Sequence, residues 1–127
     1  MGGEAREAKA TILVVDDDEA VVRLVSRMLE RRGYATRVAT GGAEAEAVLE
    51  GEEVDAIVTD LRMPGMTGAE LVTRARDRHP RVKAIYMSGF AGDRTALPAR
   101  EVEATILEKP FGGEELLRAV GGALGEP

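Results

Sequence analysis

Residues 54–68 read VDAIVTDLRMPGMTG, from Val54 to Gly68, and the fold follows from how this stretch changes character. Ala56, Ile57 and Val58 are an apolar run of the kind that lies inside a parallel sheet with both faces covered. Pro64, Gly65 and Gly68 then prevent any regular continuation. The spacing predicts a strand over 55–60 that ends on Asp60 and faces a loop. In open α/β sheets ligands bind outside that carboxyl edge, so Asp60 is a candidate for chemistry as well as for a cap or turn.

Working outward, the same change recurs. Thr11 to Val15, TILVV, is a β-branched apolar run that stops at Asp16, Asp17 and Asp18, a buried strand ending in acid. From Glu19 the period becomes helical: Val21, Leu24, Val25, Met28 and Leu29 share one side, and Gly33 supplies the stop. Asp18 suits the N-cap and Glu19 the first turn. Tyr34 to Ala39 alternates like a strand near a sheet edge, and a helix rich in Ala and Glu follows to Gly51. Beyond the Pro-Gly loop, Ala69, Leu71, Val72 and Ala75 give a third helix, ended by His79-Pro80. Val82 to Met87 is a fourth strand that runs into Ser88. Phe90 to Ala104 contains Gly92 and Pro98, with only Leu97 and Val102 as anchors, so a fourth helix there is short, interrupted and loosely held. Thr105 to Leu107 is a fifth strand leading to Lys109-Pro110-Phe111. Glu114 to Leu124 is a last amphipathic helix.

Five strands alternating with five helices give an α/β fold, one parallel sheet covered on both faces. Residues 1–10 are small, polar and charged and are set aside as a lead-in or linker, leaving one domain over 11–124 and a tail at 125–127. At 127 residues such a domain buries roughly two-thirds of its unfolded surface. The chain has no cysteine, which excludes disulfides, thiolate catalysis and cysteine-held zinc. No stretch approaches the roughly 18 apolar residues of a membrane span, so no membrane insertion and a cytoplasmic location are expected. A net charge of −6 argues against duplex DNA or an anionic membrane as direct partner, and 3% aromatic content leaves no stacking platform for single strands.

In a parallel sheet all strands end at one edge, which brings Asp16, Asp17, Asp60, Ser88 and Lys109 together. Three carboxylates there repel by about 4 kcal/mol per close pair at an effective dielectric near 20. Lys109 supplies one compensating charge, and a hard divalent ion such as Mg²⁺ is the natural second. Acids, a cation site, a lysine and a hydroxyl suit a phosphoryl group, whose oxygens the cations neutralise while Ser88 donates a hydrogen bond. With no cysteine and no other carboxylate so central, Asp60 is the best nucleophile, forming an acyl phosphate.

VDD at 15–17, DLRMPGMTG at 60–68, MSG at 87–89 and KPF at 109–111 together resemble the signature of the two-component response-regulator receiver domain, a member of the CheY-like superfamily, over about residues 11–124. The resemblance implies a flavodoxin-like sheet of order 2-1-3-4-5. It also implies roles: Asp60 as phosphoacceptor, Asp17 as direct metal ligand, Asp16 acting on the metal largely through water, and the Arg62 backbone carbonyl as a further ligand. Ser88 matches the hydroxyl switch residue, and Lys109 the phosphate-pairing lysine, which in the family precedes a cis proline, here Pro110. The implied donor is a phosphohistidine on a sensor histidine kinase or histidine phosphotransfer protein. The chain is then a switch and not a turnover enzyme, with its output, and any homodimer, on the face of the fourth helix, fifth strand and fifth helix. The MSGF and LEKPF wording is closest to receivers attached to hybrid histidine kinases.

One position departs. Where the family has Tyr or Phe three residues before the lysine, this chain has Ile106. Ser88 is still expected to move on activation, with the output carried by the loose 90–104 segment. Phe90 and Arg62 flank the approach to Asp60 and are candidates for tuning dephosphorylation. His79, beside a proline and outside any cluster, is read as a surface turn residue and not as a phosphodonor. Met63 and Met66 are read as loop packing. Two alternatives stand. A haloacid-dehalogenase-type phosphatase would use Asp16 as nucleophile and Asp18 as acid/base, but leaves Asp60 unexplained and lacks a late strand-end pair of carboxylates. A phosphorylation-independent docking receiver would fit Ile106 but not the intact acids, Ser88 and Lys109.

Overall fold

The run TILVV forms β1 (Thr11–Val15), whose last four residues are all buried because strands flank it on both sides and helices cover both faces. The structure, a computed structural model, describes residues 9–89, 97 and 105–126. After β1 come α1 (Glu19–Arg31), β2 (Ala35–Ala39), α2 (Gly42–Gly51), β3 (Ala56–Asp60), α3 (Gly68–Arg78), β4 (Lys83–Ser88), β5 (Thr105–Glu108) and α4 (Gly113–Leu124). The sheet is parallel throughout, in the order β2-β1-β3-β4-β5 expected of the flavodoxin-like class. The helix expected within 90–104 lies outside the described residues, as do Phe90 and Val102. Leu97 is described, and packs half-buried against the core.

Alternation along the strands sorts the core into two layers. Leu13, Val15, Ile57 and Tyr86 meet Ala45 and Leu49 of α2 and Leu71, Val72 and Ala75 of α3 on one face. Ile12, Val14, Val58, Ile85 and Met87 meet Val22, Val25 and Leu29 of α1 and Leu116 and Val120 of α4 on the other. β2 is an edge strand, and its Arg37 and Val38 are exposed. Arg37 Nε donates to both oxygens of Glu52, at 2.7 and 2.9 Å, which places a charged pair along that edge.

The helix ends explain the loops that carry the site. Asp18 caps α1 as read from the sequence, accepting from the Ala20 N–H at 2.9 Å. Thr67 caps α3: its hydroxyl accepts from the Glu70 N–H at 3.1 Å, and the Glu70 carboxylate accepts from the Thr67 N–H at 2.8 Å. A Thr67→Ala chain should lose about 1 kcal/mol of stability in urea melts, and a change within error would show the box to be dispensable.

Both margins of the fold are engaged. The Lys9 N–H donates to the Gly33 carbonyl at 3.1 Å, and the Ala10 carbonyl accepts from the Ala35 N–H at 2.9 Å. Tyr34, expected in the second strand, precedes it and is buried, with its hydroxyl donating to Glu126 Oε1 at 2.6 Å and the Lys9 ammonium 5.5 Å from the ring centre. Burial, together with the Glu126 hydrogen bond and charge, pushes the Tyr34 phenol up to about 12.

Candidate functional site

Four of the five strands, β1, β3, β4 and β5, deliver functional groups at the carboxyl edge, and backbone bonds between strand ends hold these in register. The Leu61 N–H donates to the Met87 carbonyl at 2.8 Å, and the Lys109 N–H donates to the Ser88 carbonyl at 2.7 Å. Asp16 directly follows β1 and is 1% exposed. Its Oδ1 accepts from the Asp18 N–H at 2.9 Å and its Oδ2 from the Lys109 ammonium at 2.8 Å. The same ammonium lies 3.6 Å from Asp60 Oδ2, so one cation spans two of the three acids. Asp17 is exposed beside them.

Oxygens of Asp16, Asp17 and Asp60 all lie within 4.8 Å of one another. An all-oxygen, carboxylate-rich donor set of that size fits a hard divalent cation such as Mg²⁺. Burial holds the Asp60 carboxyl above its ordinary range, and repulsion from Asp16 and Asp17 adds to this. Lys109 and a hydrogen bond from the Arg62 N–H, at 3.4 Å to Oδ1, pull the other way. Burial lowers the Lys109 ammonium, but the Asp16 hydrogen bond and the charges of Asp16 and Asp60 outweigh it and leave it raised. Two of the three acids share the one ammonium of Lys109, so the cluster favours a further cation.

Ser88 is the last residue of β4 and is 1% exposed at the same edge. Arg62 is exposed on the loop after Asp60. Ile106 pairs in register with Tyr86 and packs half-buried on the face covered by α2 and α3. Lys109-Pro110 is a cis peptide bond. Five of the sequence-selected residues thus converge: Asp16, Asp17, Asp60, Ser88 and Lys109. Asp16, the nucleophile of the phosphatase alternative, is buried with both oxygens bonded, whereas Asp60 keeps the more open carboxylate.

The sequence reading passes over Thr59 and takes Gly68 only as a residue that breaks regular structure, whereas Gly68 opens α3. The Thr59 hydroxyl donates to the Asp60 carbonyl at 3.0 Å. Gly68 begins α3 so close to Asp60 that an added Cβ would press on the Asp60 carbonyl oxygen and stand 3.0 Å from Thr59 Cγ2. The only hint of this was a glycine at the first turn of a helix, where another residue would favour the helix more. His79 is more than a surface turn residue. It is half-buried, and its Nε2, bonded to the Leu49 carbonyl at 2.9 Å, ties the end of α3 to α2. Met63 and Met66 pack against the core as read.

Residues 12–121 match the family model described as the response regulator receiver domain. The chain is 41% identical over 115 residues to the sensor kinase CckA of Brucella abortus, covering 87% of this chain and 12% of that protein. It is 35% identical over 119 residues to the DNA-binding transcriptional regulator NtrC of Rhizobium meliloti, covering 93% of this chain and 25% of that protein. The chain therefore spans a quarter or less of these two curated relatives. The crystal structure of the chemotaxis response regulator CheY4 of Vibrio cholerae is similar at a TM-score of 0.82 and 30% identity, covering 94% of this chain and 100% of that one.

Proposed function

The chain belongs to the response regulator receiver domain family, and on that premise we propose that it takes a phosphoryl group from a phosphohistidine onto Asp60. The donor is a sensor histidine kinase or a histidine phosphotransfer protein. The observation that carries this reading is the Lys109 ammonium, 2.8 Å from Asp16 and 3.6 Å from Asp60, beside three clustered carboxylates. A cation already bridging the acids is placed to pair with a phosphoryl oxygen as the group arrives.

The transfer is a displacement at phosphorus. An Asp60 carboxylate oxygen forms the new P–O bond while the P–N bond breaks, and its electrons leave with the imidazole, which a proton on its far nitrogen keeps neutral. Asp17, Asp60 and the Arg62 carbonyl would hold Mg²⁺ directly and Asp16 through water. The ion supplies charge neutralisation at the phosphoryl oxygens. Lys109 pairs with one of those oxygens, and the Ser88 hydroxyl donates to another. Arg62 flanks the approach and tunes hydrolysis of the acyl phosphate.

The product is a switch: the added dianion biases an output surface that includes β5 and Ile106. The MSGF and LEKPF wording, with the similarity to CckA, supports a receiver of the kind carried by sensor kinases. A cytoplasmic setting suits such a partner, and no described helix is long and apolar enough to cross a membrane.

Incubation with Mg²⁺ and a small acyl-phosphate donor, followed by intact mass measurement, tests the reading. The expected result is a gain of one phosphoryl group, abolished by chelating the metal. No gain, or a gain indifferent to chelation, overturns it.

A further inference from the structure

We propose that Gly42 and Met66 form a seat that positions the metal-binding loop after Asp60. The loop runs from Leu61 to Thr67 and carries the Arg62 carbonyl, so the inference rests on the reading of that loop as part of a cation site. Its outgoing limb is secured by the buried side chains of Leu61 and Met63. Its return limb has another anchor. Met66 lies against Gly42, the first residue of α2, and a Cβ on Gly42 would stand 2.7 Å from Met66 Sδ, 3.0 Å from its Cβ and 3.1 Å from its Cε.

These distances separate the two parts of the contact. The thioether can rotate away from an added methyl group, but the Met66 Cβ moves only with its backbone. Gly42 has no positive φ, so the close approach of Met66 accounts for the glycine. Gly65, immediately before Met66, does have a positive φ, +82°, and turns the chain so that Met66 reaches back to α2. Half-buried Met66 packs on the same core layer as Met63, which neighbours Arg62 in the chain. A push at Gly42 therefore passes along packed side chains to the Arg62 peptide, and an outer support of that kind governs metal affinity more than overall stability.

Calorimetric titration with Mg²⁺ of the wild-type chain, Gly42→Ala, Met66→Ala and the double variant tests the seat, with thermal melts confirming that each is folded. Each single variant should bind Mg²⁺ about tenfold more weakly. The double variant should bind more tightly than the product of the two single losses would give, since removing the thioether leaves the added methyl only the Cβ of residue 66 to press on. Should Gly42→Ala not fold, Met66→Ala alone decides. Wild-type affinity in folded single variants, or losses that multiply in the double variant, would overturn the seat while leaving the metal site intact. A wild-type chain that binds no Mg²⁺ would overturn the metal reading itself, and the seat with it.

Discussion

An Asp60→Asn chain should gain no phosphoryl group under conditions that load the wild-type chain, and near neutral pH it should unfold at a higher denaturant concentration. The first effect follows from replacing a carboxylate oxygen by a neutral amide, a far weaker nucleophile towards phosphorus. The second follows from the charge balance. Burial, then repulsion from Asp16, raise the Asp60 carboxyl in the folded chain, against the smaller pull of Lys109. A folded-state pKa above the unfolded value means that the folded chain binds the proton more tightly. Stability then falls as pH rises from the ordinary value of 3.8 through the raised one. Asparagine removes that loss, so the variant should match the wild type well below pH 3.8 and exceed it near neutrality. Urea midpoints at both pH values make the comparison. A variant that still gains mass would move the nucleophile to another side chain, and one less stable at neutrality would contradict the raised Asp60 carboxyl.

Gly68→Ala should cost about 3 kcal/mol in urea melts and strongly reduce loading at Asp60. Helix propensity alone would favour the change by about 1 kcal/mol, so the two considerations oppose each other in sign. The contact settles the sign: the new methyl group would press on the Asp60 carbonyl oxygen, a backbone atom that cannot rotate aside. Relief requires moving the start of α3 or the end of β3. Either movement disturbs the 3.0 Å bond from the Gly68 N–H to the Leu61 carbonyl and the carboxylate it positions. Wild-type stability in this variant would mean that the junction yields at little cost, and normal loading would mean that the shift misses Asp60.

Much of this arrangement was legible before any coordinates. Apolar runs ending in Asp16, Asp60, Ser88 and Lys109 announce a parallel sheet, and parallelism alone assigns all four to one edge. Cap residues such as Asp18 are equally readable, because the signal and its partner lie within one turn. The features that escaped are pairings between elements distant in sequence. Nothing near Gly68 reports the Asp60 carbonyl, nothing near Gly42 reports Met66, and His79 finds Leu49 only once α2 and α3 lie side by side. Alternation places Tyr34 in a strand because it cannot separate a strand residue from a buried residue in the turn before it. Such contacts depend on the distance between two backbones, which residue type constrains only after the fold has formed.

The tie at Tyr34 has a topological consequence. Lys9 stacks over its ring and Glu126 binds its hydroxyl, so these two residues lie within a side chain's length of one ring. The ring belongs to the residue that leads into β2, at the rim of the sheet remote from Asp60. A short peptide bridge from residue 126 back to residue 9 would therefore close the domain into a loop without crossing the mouth of the site. The chain could then be reopened in another turn with its order of elements rotated and its chemistry unchanged.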